Sequence, residues 1–131
     1  MAPIPEKYRD LLERPVIVAL ATVLESGQPQ VHPVWADLEG EYIRINTVAG
    51  RAKHRNMEER PLVTVLAVDP DDPFRWLEVR GKVEKTCFEG ADEHIDKLAK
   101  EYMGVDVYPG HTPENKRLIA YVKPTRVIAS G

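Results

Sequence analysis

A chain of 131 residues is enough for one ordinary core, so a single domain over 1–131 is expected. With 43% hydrophobic and 30% charged residues it is not compositionally disordered, and 18 basic against 21 acidic residues, a net charge of −3, exclude a generally basic nucleic-acid binder. The lone Cys87 excludes an internal disulfide or a four-thiolate metal site and points to a reducing, cytoplasmic setting; no membrane span and no signal peptide are expected from the short apolar runs.

Glu6 to Leu12 can form one or two helical turns closed before Pro15, because the residue before a proline is pushed out of the helical region. Val16 to Leu24 is a continuous β-rich apolar run ended by Ser26-Gly27, the pattern of a strand buried on both faces. Gln30 to Asp37 alternates imperfectly, and Pro33 removes a ladder donor, which marks an edge, a bulge or a strand interrupted at a site. After Leu38-Glu39-Gly40, the segment Glu41 to Thr47 alternates cleanly, with Ile43, Ile45 and Thr47 on one side and Tyr42, Arg44 and Asn46 on the other.

Gly50 to Glu59 reads as a short polar helix stopped by Arg60-Pro61, and Leu62 to Val68 repeats the buried-strand signature. The acidic loop Asp69 to Pro73 leads into a long strand, Phe74 to Thr86, with Leu77, Val79, Gly81 and Val83 on one face. Gly90 to Met103 is an amphipathic helix whose stripe is Ile95, Leu98, Ala99 and Tyr102. Val105 to Asn115 is a loop, and Lys116 to Ser130 gives one strand, or two broken at Pro124. The sum is a mainly β chain of about six strands and short helices, and closure into a small barrel would remove its edges.

The densest chemical signal is Asn46 to Asn56, where a strand ends and a helix begins with Arg51, Lys53 and Arg55 and no acid among them. Unpaired backbone N–H groups and the positive end of a helix dipole make such a junction an anion cradle, and a phosphate is its natural ligand. The same run also fits a solvated surface helix, and Arg51 and Arg55 share a face that Lys53 need not share. Pro33, beside His32 and Trp35, leaves backbone groups available to a flat polar ligand, or simply protects an edge strand. His54, His94 and His111 show no metal spacing, Cys87 belongs to no redox motif, and no nucleophile elbow, Walker loop or dinucleotide fingerprint is present.

Taken in order, Val16 to Leu24, Gly27 to Trp35, Asn46 to Asn56, Pro61 to Val65 and Asp69 to Gly81 resemble the pyridoxamine 5′-phosphate oxidase-like split-barrel superfamily. Within it the likeness is to flavin and deazaflavin oxidoreductases that use coenzyme F-420. That resemblance implies a split β-barrel like that of FMN-binding proteins, with coenzyme F-420, or alternatively FMN, as cofactor and a small conjugated molecule as substrate. It assigns Arg51, Lys53, Arg55 and Asn56 to the cofactor phosphate, Asn46 and Thr47 to the strand end beside it, and His32, Pro33, Val34 and Trp35 to the ring. It also implies a homodimer with cofactor sites at the interface, walled by Phe74 or Trp76 of the second copy. The basic residues after Glu114, namely Lys116, Arg117, Lys123 and Arg126, are candidates to approach the coenzyme's anionic tail. A non-catalytic flavin- or haem-binding protein is the remaining alternative on the same barrel.

Overall fold

The alternating segments become seven antiparallel strands of one curled sheet in the computed structural model, which describes residues 2–131. They are β1 (Val18–Val23), β2 (Pro29–Val34), β3 (Ala36–Glu39), β4 (Tyr42–Val48), β5 (Leu62–Val68), β6 (Trp76–Cys87) and β7 (Arg117–Ser130). The spatial order is β2-β1-β5-β6-β7-β4-β3, a curled half-barrel of the split-barrel type. Three helices, α1 (Asp10–Glu13), α2 (Ala52–Glu59) and α3 (Ala91–Met103), and a 3-10 turn at Glu6–Tyr8 complete it.

The seventh strand comes from Gln30 to Asp37, which is two strands rather than one. β2 and β3 are separated by Trp35 alone yet lie at opposite edges of the sheet. The chain thus crosses the split at Trp35, and Tyr102 of α3 stitches it: its hydroxyl donates to the Val16 carbonyl at 2.7 Å and accepts from the Ala36 N–H at 3.2 Å.

The concave side holds the core, with Leu20, Ile43, Ile45, Val65, Leu77 and Val79 fully buried. Leu11 and Leu12 of α1 are buried against β3 and β5. The expectation that β1 and β5 are buried on both faces is corrected. Only Val18, Leu20 and Thr22 of β1 and Val63, Val65 and Ala67 of β5 are buried, while Leu62, Leu66 and Val68 are exposed. The physical reason is that nothing among the described residues covers Leu62, Leu66 and Val68 on the convex side.

β7 runs unbroken through Pro124 because that proline sits opposite Gly81, where the β6–β7 register shifts and a ladder donor is not needed. A Cβ on Gly81 would lie 2.6 Å from Val122 Cγ1 and 2.8 Å from the Lys123 carbonyl oxygen, so the close approach of the strands requires glycine there. α3 packs its stripe, Ile95, Leu98 and Ala99, on β4 and β7, beside the split.

Candidate functional site

A cleft of ≈ 320 Å³ opens where the split, the β4–α2 junction and α3 meet. Pro33, Val34 and Trp35 form one wall, Ile95 and Leu98 of α3 the apolar floor, and Asn46, Arg51, Lys53 and Arg117 the polar side. Ile17 and Tyr108 complete the lining. The Trp35 ring is held by stacking on Tyr102 at 5.1 Å and by an edge contact with Tyr108 at 6.0 Å, so its orientation is set before any ligand arrives.

The loop that presents Arg51 turns at Gly50, whose φ of +89° is a left-handed conformation that favours glycine. Gly50 is gripped from both sides by the helix it precedes. Its N–H donates to His54 Nδ1 at 3.0 Å, and its carbonyl accepts from Arg55. His54 Nδ1 is therefore an acceptor and Nε2 carries the proton toward Glu58, 3.1 Å away, which also accepts from Thr86. Arg55 and His54 thus hold the loop, while Arg51 and Lys53 project into the cleft.

Lys53 is half-buried, and burial together with the neighbouring Arg51 charge lowers its pKa from the ordinary lysine range. Arg117, only 7% exposed, donates to Asn46 Oδ1 at 3.0 Å and lies 4.6 Å above the Tyr108 ring. Its pKa is lowered chiefly by burial; Tyr108 raises it, Arg51 lowers it further, and Asp92 raises it weakly. None of Arg51, Lys53 and Arg117 forms an ion pair with a carboxylate among the described residues.

Asn46 is oriented by its other partners. Its amide nitrogen donates to the Ala91 carbonyl at 2.8 Å and faces His94 Nδ1 at 3.2 Å, and His94 Nε2 meets Asp37 Oδ1 at 3.0 Å. Arg44 and Lys97 share that buried carboxylate at 2.6 Å and 2.9 Å.

Six of the ten residues expected at the site, namely Pro33, Val34, Trp35, Asn46, Arg51 and Lys53, line this cleft. The other four lie elsewhere in the single chain. His32 is exposed on edge strand β2, paired with Leu20 and so on the face opposite to Val31, and it only borders the shallow apolar groove of Ile17, Val31, Leu66 and Val68. Thr47 is buried toward the concave side, following the alternation of β4. Arg55 grips Gly50, and the buried Asn56 donates to Thr22 Oγ1 at 3.0 Å and accepts from Arg60 at 3.2 Å, tying α2 to β1.

Of the late basic residues, Lys116 stacks on Phe88 at 4.3 Å and Lys123 pairs with Glu84 at 3.6 Å. Arg126 sits opposite Arg80 in the ladder, so Arg117 alone of the four enters the cleft. Tyr108 and the Asp37–His94 pair escape sequence reasoning. Tyr108 lies in a loop without periodicity, held by its N–H to Asp96 Oδ1 at 2.8 Å, and Asp37 and His94 are 57 residues apart.

The family model of pyridoxamine 5′-phosphate oxidase matches residues 4–130. The chain belongs to the pyridoxamine 5′-phosphate oxidase family. No curated protein matches it. Among solved structures, an F-420 reductase is 38% identical with a TM-score of 0.84, over 95% of this chain and 98% of that one. A conserved hypothetical protein from Mycobacterium tuberculosis is 22% identical (TM-score 0.74, 97% and 84% covered), and General Stress Protein 26 from Bacillus anthracis is 17% identical (TM-score 0.71, 95% and 92% covered). The last two share the fold alone. In this member of the pyridoxamine 5′-phosphate oxidase family, the cleft sits where the split-barrel edges and the α2 start come together.

Proposed function

We propose that the chain is an oxidoreductase that binds reduced coenzyme F-420 in this cleft and serves hydride transfer to a conjugated organic substrate of the enone, tetrapyrrole or quinone type. The observation that carries the reading is the pair Arg51 and Lys53, free of carboxylate partners beside the preset Trp35 wall. Such a donor set suits a phosphate, and a planar apolar wall suits a flat ring. The 38% identity to an F-420 reductase supports the choice of cofactor. FMN carries a similar phosphate and ring and is the alternative this donor set accommodates.

When bound, the deazaflavin supplies the hydride chemistry. The residues of the chain bind, orient and exclude water. Arg51 and Lys53 hold the phosphate, and its charge offsets the burial and repulsion that lower the Lys53 pKa. Pro33 to Trp35 flank the ring, while Ile95 and Leu98 keep water from the floor. No acid or base of the chain is assigned a proton-transfer role.

The cleft is open, and its rim continues through Ile17 and Pro33 into the exposed apolar groove of Val31, Leu66 and Val68. A second copy packed on this surface would close the site, and Phe74, 81% exposed, is the aromatic side chain free to reach across. Trp76 is less accessible, since it pairs with Val68 and Ser130 in the sheet.

The test is turnover. Reduced F-420 mixed with the protein and a quinone or enone acceptor should be oxidised at a rate proportional to protein. Tight cofactor binding without oxidation across a panel of such acceptors would favour the non-catalytic alternative.

A further inference from the structure

We infer that Arg117 is an anion-binding residue of the cleft, a third cation that meets the ligand phosphate from the β7 side, and that Asn46 and His94 are the positioning residues that aim it. This rests on the proposal that the cleft takes a phosphate-bearing ligand.

A guanidinium stays charged in proteins, so one that is 7% exposed needs compensation from its surroundings. Arg44, on neighbouring β4, shows the usual solution, with two nitrogens on the Asp37 carboxylate at 2.9 Å and 2.6 Å. Arg117 has no such partner. One nitrogen reaches the neutral Asn46 Oδ1, a face rests on Tyr108, and Nε is buried with no acceptor. A charge in this state is costly in a structure that gains nothing from it, and it becomes favourable once an anionic oxygen fills the missing place.

The direction of the side chain is fixed as well. Because the Asn46 amide nitrogen is spent on the Ala91 carbonyl and His94 Nδ1, its oxygen must face Arg117. His94 in turn is held through Nε2 by Asp37, so the orientation traces back to a buried carboxylate. Arg51 raises the electrostatic cost of both Lys53 and Arg117, which places each of them within the field of Arg51. They line one cleft, and an anionic phosphate group offsets their unpaired charge.

The experiment is calorimetric titration of the full chain with inorganic pyrophosphate, alongside fluorescence titration with F-420 and FMN and a thermal melt of each variant. Arg117→Gln should lower pyrophosphate and cofactor affinity by about tenfold or more while leaving the melting temperature unchanged or higher, since it removes an uncompensated buried charge. Arg117→Lys should keep part of the affinity. Asn46→Asp should weaken anion binding more than Asn46→Ala, because its carboxylate competes for the guanidinium; the reverse order would overturn the positioning role.

Arg117→Gln binding both ligands as the wild-type chain does overturns the Arg117 assignment and leaves the cofactor reading standing. Arg117-dependent pyrophosphate binding with no binding of F-420 or FMN supports the assignment and overturns the cofactor reading. A wild-type chain that binds neither class of ligand overturns both.

Discussion

Three side chains meet at Asp37, a residue only 3% exposed whose carboxylate accepts from Arg44, His94 and Lys97. Burial pushes its pKa up, but the hydrogen bonds from His94, Arg44 and Lys97 outweigh it and hold the carboxyl well below the usual range. A depressed folded-state value means that this contribution is fully present above the unfolded pKa of about 3.9 and is lost as pH falls through the folded one. Thermal melts should therefore show this contribution constant between about pH 7 and 5 and declining below about pH 4. Asp37→Ala should cost about 3–5 kcal/mol, because it leaves half-buried Arg44 and buried His94 without their partner; chemical denaturation measures it. At the cleft, Lys53→Ala should weaken phosphate-bearing ligands by roughly 1.5–3 kcal/mol without comparable loss for riboflavin. Arg51 and Lys53 were legible in the sequence because three cations with no acid in a strand-to-helix junction form a local pattern. Asp37 and His94 were not, because each is an ordinary residue until the fold brings partners 57 positions apart together.

Among the elements, alternation made β4 and β6 readable, and the stripe of α3 did the same for the helix. A continuous apolar run was less informative. In β1 and β5 it records an outer face that is apolar but uncovered in the single chain, which sequence cannot separate from burial on both faces. Pro33 marked Gln30 to Asp37 as an edge, a bulge or an interrupted strand and it lies within edge strand β2, whereas the break at Trp35 and the placement of β2 and β3 at opposite sheet edges depend on pairing with distant strands. Tyr102→Phe removes the hydroxyl that bridges Val16 and Ala36 across this split and should cost about 1–3 kcal/mol in denaturation experiments. Gly81→Ala puts a methyl against Val122 and the Lys123 backbone, and overpacking of this kind should destabilise by about 1–3 kcal/mol.

For the molecule as a whole, the net charge of −3 conceals a division of labour. The acids of the 69–72 loop are largely consumed locally, with Asp69 on Arg14 and Arg75 at 2.9 Å and 3.0 Å and Asp71 near Arg14, fastening that loop to α1. The cations at the cleft are left without such partners, beside an apolar surface that one chain does not cover. Val68→Asp should shift a dimer toward monomer in sedimentation and weaken cofactor binding with it; a fully competent monomer would contradict a shared site. Recognition of a phosphate-bearing deazaflavin by the cleft can be read from equilibrium titration of the protein with F-420, FMN and riboflavin. F-420 should bind tightest, FMN more weakly and riboflavin most weakly; riboflavin bound as tightly as the phosphorylated ligands, or a clear preference for FMN over F-420, would overturn this recognition.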